Sequence, residues 1–133
     1  MKESDLKRQI LEYLRYKYPK SIFWNQRTTG IKKPNGAWIP SSLPGVSDIL
    51  GCLNFDIDGI RIGVMTAIEV KLPGNKPTPA QTEFLRRIKE AGGIGIIVCS
   101  VEDVENELLK QISIVTIERY NYLLYVKNGT VTK

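Results

Sequence analysis

The dipeptide Asp58-Gly59 lies between two long apolar runs and constrains the fold more than any other part of the sequence. Asp-Gly in such a context favours the two-residue turn of a β-hairpin. A turn at these two residues would place Ile57 opposite Ile60 and would fix every other cross-strand pair. Residues 44–71 are therefore predicted to contain one long antiparallel hairpin.

This register would bring two carboxylates together. Counted outward from the turn, Asp48 and Glu69 occupy equivalent positions on the two strands, so they face each other unless a bulge at Gly51 or Gly63 shifts the pairing. Facing side chains have Cβ atoms roughly 5 Å apart. Lys71 follows two residues after Glu69 and is predicted to share its face, because side chains alternate along a strand.

Two facing carboxylates repel each other, and one of them takes up a proton unless a cation lies between them. Carboxylate oxygens are ligands that suit Mg²⁺ or Mn²⁺. A neighbouring lysine can orient a metal-bound water or stabilise charge that develops on a phosphate. The pattern indicates a metal-dependent phosphodiesterase. Alternatively, Asp48 is an ordinary surface acid, and Glu69 and Lys71 form a Glu-x-Lys at the exposed end of a strand. The apolar runs around both acids and their shared register favour the metal site.

Composition restricts the remaining chemistry. The 133 residues suit one domain, 1–133, and the absence of histidine excludes triads and metal sites that depend on it. Cys52 and Cys99 lie in apolar runs and are predicted to be buried small hydrophobic residues, not a disulfide or zinc ligands. The net charge of +5 favours a nucleic-acid partner only slightly over a solvated lysine-rich surface. With no apolar signal segment or membrane-length run, a cytoplasmic protein is expected.

The order of predicted elements alternates helices and strands. Residues 4–18 show a helical apolar period, with Ser4 as the N-cap and Pro19 after the end. A strand at 22–27, a basic loop at 31–42 and the central hairpin are predicted to follow. The next helix is capped by Thr78 and ends at 92–93, and it leads to a central strand at 94–99 that is covered on both faces and runs parallel to the Glu69 strand. The predictions end with a helix from Ser100 to about Gln111, a strand at 112–117 and a terminal hairpin at 122–131.

The basic loop is a candidate nucleic-acid contact. Lys32 and Lys33 precede a Pro-Asn-Gly turn, and Trp38 follows it. Such residues can bind a phosphate backbone and stack on a base. Equally, they can form a solvated loop whose tryptophan covers the edge of the core. Arg27 and Lys76 are further candidates for contacts with DNA.

The ordered motifs resemble the PD-(D/E)xK nuclease superfamily, and more closely the stand-alone VRR-NUC nucleases of phages and bacteria. The resemblance covers about residues 3–100. It rests on an acid opening the first helix, a strand with an arginine, a glycine, two strand motifs and a capped second helix: Glu3, Arg27, Gly30, Gly45-Val46-Ser47-Asp48, Ile68-Glu69-Val70-Lys71 and Thr78-Pro79-Ala80-Gln81. Ser47 stands where the superfamily motif has proline, a residue that supplies no chemistry.

The resemblance implies an α/β fold with a restriction-endonuclease-like core, a central mixed β-sheet flanked by helices. It implies that Asp48 and Glu69 bind Mg²⁺ or Mn²⁺ with the backbone carbonyl of Val70. Lys71 would position the attacking water or stabilise the phosphate. Whether one metal or two take part stays open.

Two further residues have roles that the resemblance implies and simpler alternatives. Glu3 would complete the metal shell directly or through water; otherwise, it is an acid that stabilises a helix N-terminus. Gln81 would orient Lys71 or a water, although a capping box with Thr78 explains its position almost as well.

The expected activity is metal-dependent hydrolysis of DNA phosphodiester bonds by an endonuclease selective for four-way junctions, flaps or other branched DNA, with RNA as a minor option. A homodimer or higher homo-oligomer is compatible with this activity, as is a monomer. The alternatives are a non-catalytic nucleic-acid-binding domain that keeps the nuclease fold, and an assembly protein whose acids only decorate the surface. Loss of metal-dependent cleavage on Glu69→Ala would separate the enzyme from both.

Overall fold

The computed structural model describes residues 1–26, 31–39 and 43–128. These residues form an α/β structure in which three helices flank a four-stranded mixed sheet of order β1-β4-β5-β6, consistent with a restriction-endonuclease-like core. The strands β2 and β3 form a separate small hairpin. The elements in chain order are α1 Glu3–Lys17, β1 Ile22–Asn25, β2 Ile31–Lys32, β3 Trp38–Ile39, β4 Ile49–Ile57, β5 Ile60–Val70, α2 Pro79–Glu90, β6 Ile94–Val98 and α3 Val101–Lys127.

The central hairpin forms in the predicted register. Ile57 pairs with Ile60, and the pairing continues without a bulge to Ile49 opposite Ile68. Asp58 and Gly59 both have positive φ, +50° and +82°, as the two-residue turn that matches strand twist requires. The turn chemistry therefore fixes the alignment of the whole β4–β5 pair.

Helices cover the two faces of the sheet unequally. On one face, α1 and α3 pack with the strands into the larger core, which includes Leu14, Leu53, Ile68 and Leu108. On the other face, α2 covers a smaller cluster in which Leu85 contributes the helical side chain. Strand alternation produces this division, since neighbouring residues of β4 and β5 point to opposite faces.

The first helix keeps its predicted apolar period but begins earlier than predicted. Leu6, Ile10 and Leu14 are buried at four-residue steps. The helix starts at Glu3, so the assignment of Ser4 as N-cap is wrong. The carboxylate of Asp5 accepts the Lys2 N–H at 3.3 Å and thereby satisfies a donor of the first turn.

The start of α2 matches the predicted capping box. Thr78 Oγ1 accepts the Gln81 N–H at 3.2 Å, and Gln81 Oε1 accepts the Thr78 N–H at 2.8 Å. The helix ends before Gly92, whose φ is +97°. Ala91 lies at the C-cap of this helix and is exposed.

The C-terminal prediction is wrong. One continuous helix begins after Ser100 and ends at Lys127. It contains the expected strand at 112–117 and the first arm of the expected hairpin at 122–131, of which residues 129–131 lie outside the described residues. Val104, Leu108 and Val115 are buried in it and lie on one helical face. A short apolar run permits a helix or a strand, and packing against the sheet selects the helix here.

The outward face of α3 is also apolar. Large side chains remain exposed on the side opposite Val115 and along one flank of the helix: Leu109, Ile117, Tyr120 and Leu124 lie opposite, and Ile114 and Tyr125 lie on the flank. A helix that is apolar on both sides usually has a second packing partner.

Of the helices in the described ranges, none has the length and apolarity needed to cross a membrane.

Other predictions are corrected at the sheet edges. β6 runs parallel to β5 as expected, but it is an edge strand of the four-stranded sheet, and Ile97 is 43% exposed. Cys52 and Cys99 are exposed, not buried. Cys52 lies on the part of the sheet that α2 leaves uncovered, beside the exposed Met65.

Candidate metal centre and nucleic-acid interface

Asp48 and Glu69 come together at one end of the central hairpin. Asp48 directly precedes β4, and Glu69 is the next-to-last residue of β5, so the confirmed register places them on opposite strands at the same level. Both side chains lie within the protein, with 4% and 1% of their residue surfaces exposed. Buried carboxyl groups that face each other on neighbouring strands strongly affect each other's charge.

The two oxygens of Asp48 have different partners. Oδ2 accepts the backbone N–H of Val70 at 2.9 Å. Oδ1 lies 3.0 Å from the Nζ atom of Lys7, which reaches the site from α1. Both oxygens of Asp48 therefore have a donor, one from the backbone and one from an ammonium group.

Glu69 lacks this compensation. Neither of its buried carboxyl oxygens accepts a hydrogen bond from the described residues, and Lys71 Nζ lies 3.8 Å from Oε1. Burial, followed by the negative charge of Asp48 and by a hydrogen bond that the neutral acid makes to Asp48, raises the pKa of Glu69 to about 8, while Lys71 and Lys7 oppose the rise. The metal-free protein therefore holds Glu69 mainly as the neutral acid at pH 7.

Glu3 joins this group only through Lys7. Its Oε1 atom lies 3.8 Å from Lys7 Nζ, one helical turn away on α1. Within the described ranges, no three Asp, Glu or Cys side chains gather into a group that could hold a metal ion. The structure thus brings together Asp48 and Glu69, and it places Glu3 beside the lysine that contacts Asp48.

The loop that carries Asp48 packs tightly on the start of α2. Gly45 has a φ of +71°, and a Cβ atom there would lie 2.1 Å from the carbonyl oxygen of Ala80. Gln81 is the next residue, and its side-chain oxygen caps the helix. The structure therefore shows the capping role of Gln81; its role toward Lys71 remains a prediction.

Lys7 is a site residue that the sequence motifs do not predict. The residue lies four positions after Glu3, which allows the helical ion pair. It also follows Leu6, which is buried, so its position beside the core-facing stripe was a signal that its side chain could reach the sheet. The contact with Asp48 joins residues 41 positions apart and depends on how α1 docks, which the sequence pattern does not specify.

The basic segment forms a small hairpin. The Lys33 N–H donates to the Ala37 carbonyl at 2.7 Å, which confirms the predicted turn at 34–36. Lys32 and Lys33 are exposed on it, and Trp38 is 64% exposed. Lys76 is exposed in the loop before α2, whereas Arg27 and Gly30 of the sequence pattern lie outside the described residues.

The side chains at the Asp48–Glu69 pair fit a hard divalent cation. Glu69 presents two buried oxygens that accept no hydrogen bond from the described residues, and Asp48 adds a second carboxyl group, which contacts the Val70 N–H and Lys7. Oxygen donors of this kind are those that Mg²⁺ and Mn²⁺ prefer. A cation between them would remove the repulsion that raises the pKa of Glu69.

Comparisons of this chain with protein-family models, with curated proteins and with solved structures find no match. The family resemblance therefore rests on the sequence motifs alone.

Proposed function

We propose that this protein is a Mg²⁺- or Mn²⁺-dependent DNA endonuclease. The observation that carries the proposal is the buried Asp48–Glu69 pair, in which the oxygens of Glu69 accept no hydrogen bond from the described residues. Burying two acids without a cation is costly, and apolar residues would fill the same space more favourably. A metal site gives this arrangement a chemical purpose.

Each residue of the site would have a separate role. Asp48 and Glu69 would hold the ion, with the Val70 backbone carbonyl as a further ligand and Glu3 as a direct or water-mediated one. A bound divalent ion supplies Lewis-acid stabilisation of the phosphate and lowers the pKa of a bound water. Lys71, whose ammonium lies 3.8 Å from Glu69, would orient the attacking water or stabilise charge on the phosphate. Gln81 would assist Lys71 from the start of α2.

The β2–β3 hairpin provides the proposed DNA contact. Lys32 and Lys33 would contact phosphates, and Trp38 is exposed enough to stack on a base. Lys76 would add a further basic contact from the loop before α2. No separate recognition domain is evident in the described residues, so the nuclease would recognise the shape of its DNA through its own surface. We therefore propose selectivity for junctions, flaps or branches.

The exposed side of α3 supports association with a second copy of the chain. Its six large apolar side chains carry on the order of 200 Å² each, so about half exposure leaves roughly 500–600 Å² per chain. Two such faces together reach the roughly 1,000 Å² that a specific interface needs. A dimer would place two sites on one DNA molecule, as cutting both strands of a junction requires.

Cleavage of end-labelled DNA tests the activity. The panel contains single-stranded, duplex, flap, splayed-arm and four-way-junction DNA, each with EDTA, Mg²⁺ or Mn²⁺. Asp48→Asn should abolish cleavage while keeping or strengthening DNA binding, since it removes a negative charge near the phosphate. Asp58→Asn is the matched control, because it makes the same substitution in the exposed turn of the same hairpin, where asparagine is favoured.

The outcomes are distinct. Metal-dependent cutting by the wild type and by Asp58→Asn, but not by Asp48→Asn, would establish the metal-dependent nuclease. Cutting by Asp48→Asn at the wild-type rate would refute the assigned site. DNA binding without cleavage of any substrate would instead favour the non-catalytic binding domain, and neither binding nor cleavage would favour an assembly role.

A further inference from the structure

Lys7 occupies the position at Asp48 that a bound cation would need. Its ammonium lies 3.0 Å from Oδ1, and the other oxygen of Asp48 is engaged by the Val70 N–H. A divalent ion bound to Oδ1 would sit roughly 2.1 Å from the same oxygen. Two cations cannot share that buried oxygen without strong repulsion, since the Asp48 side chain is only 5% exposed.

A second acid lies within reach of the displaced lysine. Glu3 is one helical turn before Lys7, and its Oε1 atom is already 3.8 Å from the ammonium. Glu-to-Lys pairs with this spacing and order are favourable on a helix surface. The Lys7 ammonium can therefore leave Asp48 and keep a charged partner after a change in its own side-chain torsions.

We infer that Lys7 is a resident counter-ion of the metal site: it holds Asp48 in the metal-free protein, and a divalent ion displaces it toward Glu3. This inference rests on the proposed metal site. Lys7 is thus a positioning residue that sets metal affinity, and Glu3 is the acid that receives its ammonium group.

Two measurements on the metal-free protein and on Mn²⁺ binding, with no DNA present, test the exchange. Lys7→Met should lower the melting temperature in EDTA, because Asp48 loses a partner. It should also tighten Mn²⁺ binding, measured by calorimetry, roughly ten- to a hundredfold. That factor corresponds to one charge-assisted hydrogen bond, between Lys7 and Asp48, which the ion no longer has to break. A purely structural lysine would lower the melting temperature without tightening Mn²⁺ binding.

Lys17→Met is the matched control, since it removes the same charge from an exposed position of the same helix, roughly 15 Å along its axis. Its Mn²⁺ affinity should stay within a factor of two or three of wild type. If Lys7→Met fails to fold, Lys7→Gln keeps a hydrogen-bond donor at Asp48 while removing the charge, and should tighten Mn²⁺ binding in the same direction.

The possible results separate this inference from the function on which it rests. Unchanged or weaker Mn²⁺ binding in the Lys7 variants, with clear binding by the wild type, would overturn the exchange and leave the nuclease proposal standing. Absence of Mn²⁺ binding in the wild type and the Lys7 variants alike would overturn both. Tighter binding in the Lys7 variants that Glu69→Gln abolishes would establish the exchange at this site.

Discussion

Glu69→Gln should change the pH dependence of folding stability in a way that the structure specifies. Burial and Asp48 raise the pKa of Glu69 from an ordinary 4.5 to about 8 in the folded, metal-free protein. The folded state therefore binds a proton that the unfolded chain releases, so stability falls as the pH rises from about 4.5 to about 8. Glutamine does not titrate and has nearly the same shape.

The magnitude follows from these pKa values. One pKa unit corresponds to about 1.4 kcal/mol. Relative to low pH, ionisation of Glu69 in the unfolded chain lowers the free energy of unfolding of the wild type by about 1 kcal/mol at pH 5 and by about 3 kcal/mol at pH 7. The stability of Glu69→Gln relative to wild type should therefore rise by about 2 kcal/mol between these pH values. Any constant effect of the amide on packing cancels in this difference.

Urea denaturation in EDTA buffers at pH 5, 6, 7 and 8 measures the effect. Glu12→Gln is the matched control, since it makes the same substitution on the exposed side of α1 and should show no comparable pH trend. A stability difference between Glu69→Gln and wild type that stays constant from pH 5 to pH 7 would refute the assignment of a neutral, buried Glu69. Saturating Mn²⁺ should remove the trend, because a bound ion stabilises the ionised form.

Four other predictions concern metal binding, packing, assembly and DNA contact. Mn²⁺ binding at pH 7 should release about one proton per ion, measured by calorimetry in buffers of different ionisation enthalpy; no release would contradict the raised pKa. Gly45→Ala should destabilise the fold by about 2–4 kcal/mol through the clash and the positive φ, whereas Gly74→Ala, with positive φ but open space, should cost only about 1 kcal/mol; equal losses in urea unfolding would refute the packing argument. Ile117→Glu should yield a folded monomer in sedimentation if α3 forms the dimer, and an unchanged oligomer would exclude that face. Neutralising Lys32 and Lys33 together should lower the salt slope of DNA binding by about 2, and an unchanged slope would remove the small hairpin from the interface.

The site was predictable where local chemistry determined the geometry. Asp58-Gly59 requires a turn with positive φ, and the two-residue period of the flanking strands then sets the faces of Asp48 and Glu69. Thr78 likewise predicted the start of α2, because its hydroxyl satisfies an N–H that only a helix terminus leaves open. Each of these signals acts within a few residues.

Other features depend on contacts between distant segments. The run at 112–117 is rich in β-branched residues, but Val115 is buried on the same helical face as Leu108, so tertiary packing outweighs strand propensity. Cys52 is exposed because α2 covers only part of its sheet face, and no local pattern gives the width of that cover. Lys7 belongs to the same category, since it becomes part of the site only when α1 docks against the sheet.

The charges at the site suggest why an acid pair can remain buried in a protein that must also fold without metal. In the metal-free state, the ammonium of Lys7 neutralises Asp48 at 3.0 Å, and a proton neutralises Glu69. These are two positive charges, the same number that one Mg²⁺ or Mn²⁺ carries. Under the proposed function, binding would exchange a lysine and a proton for one ion, so the net charge of the buried site would not change. Such an exchange avoids the large cost of uncompensated buried charge in both states, and it ties metal affinity to pH and to Lys7 together.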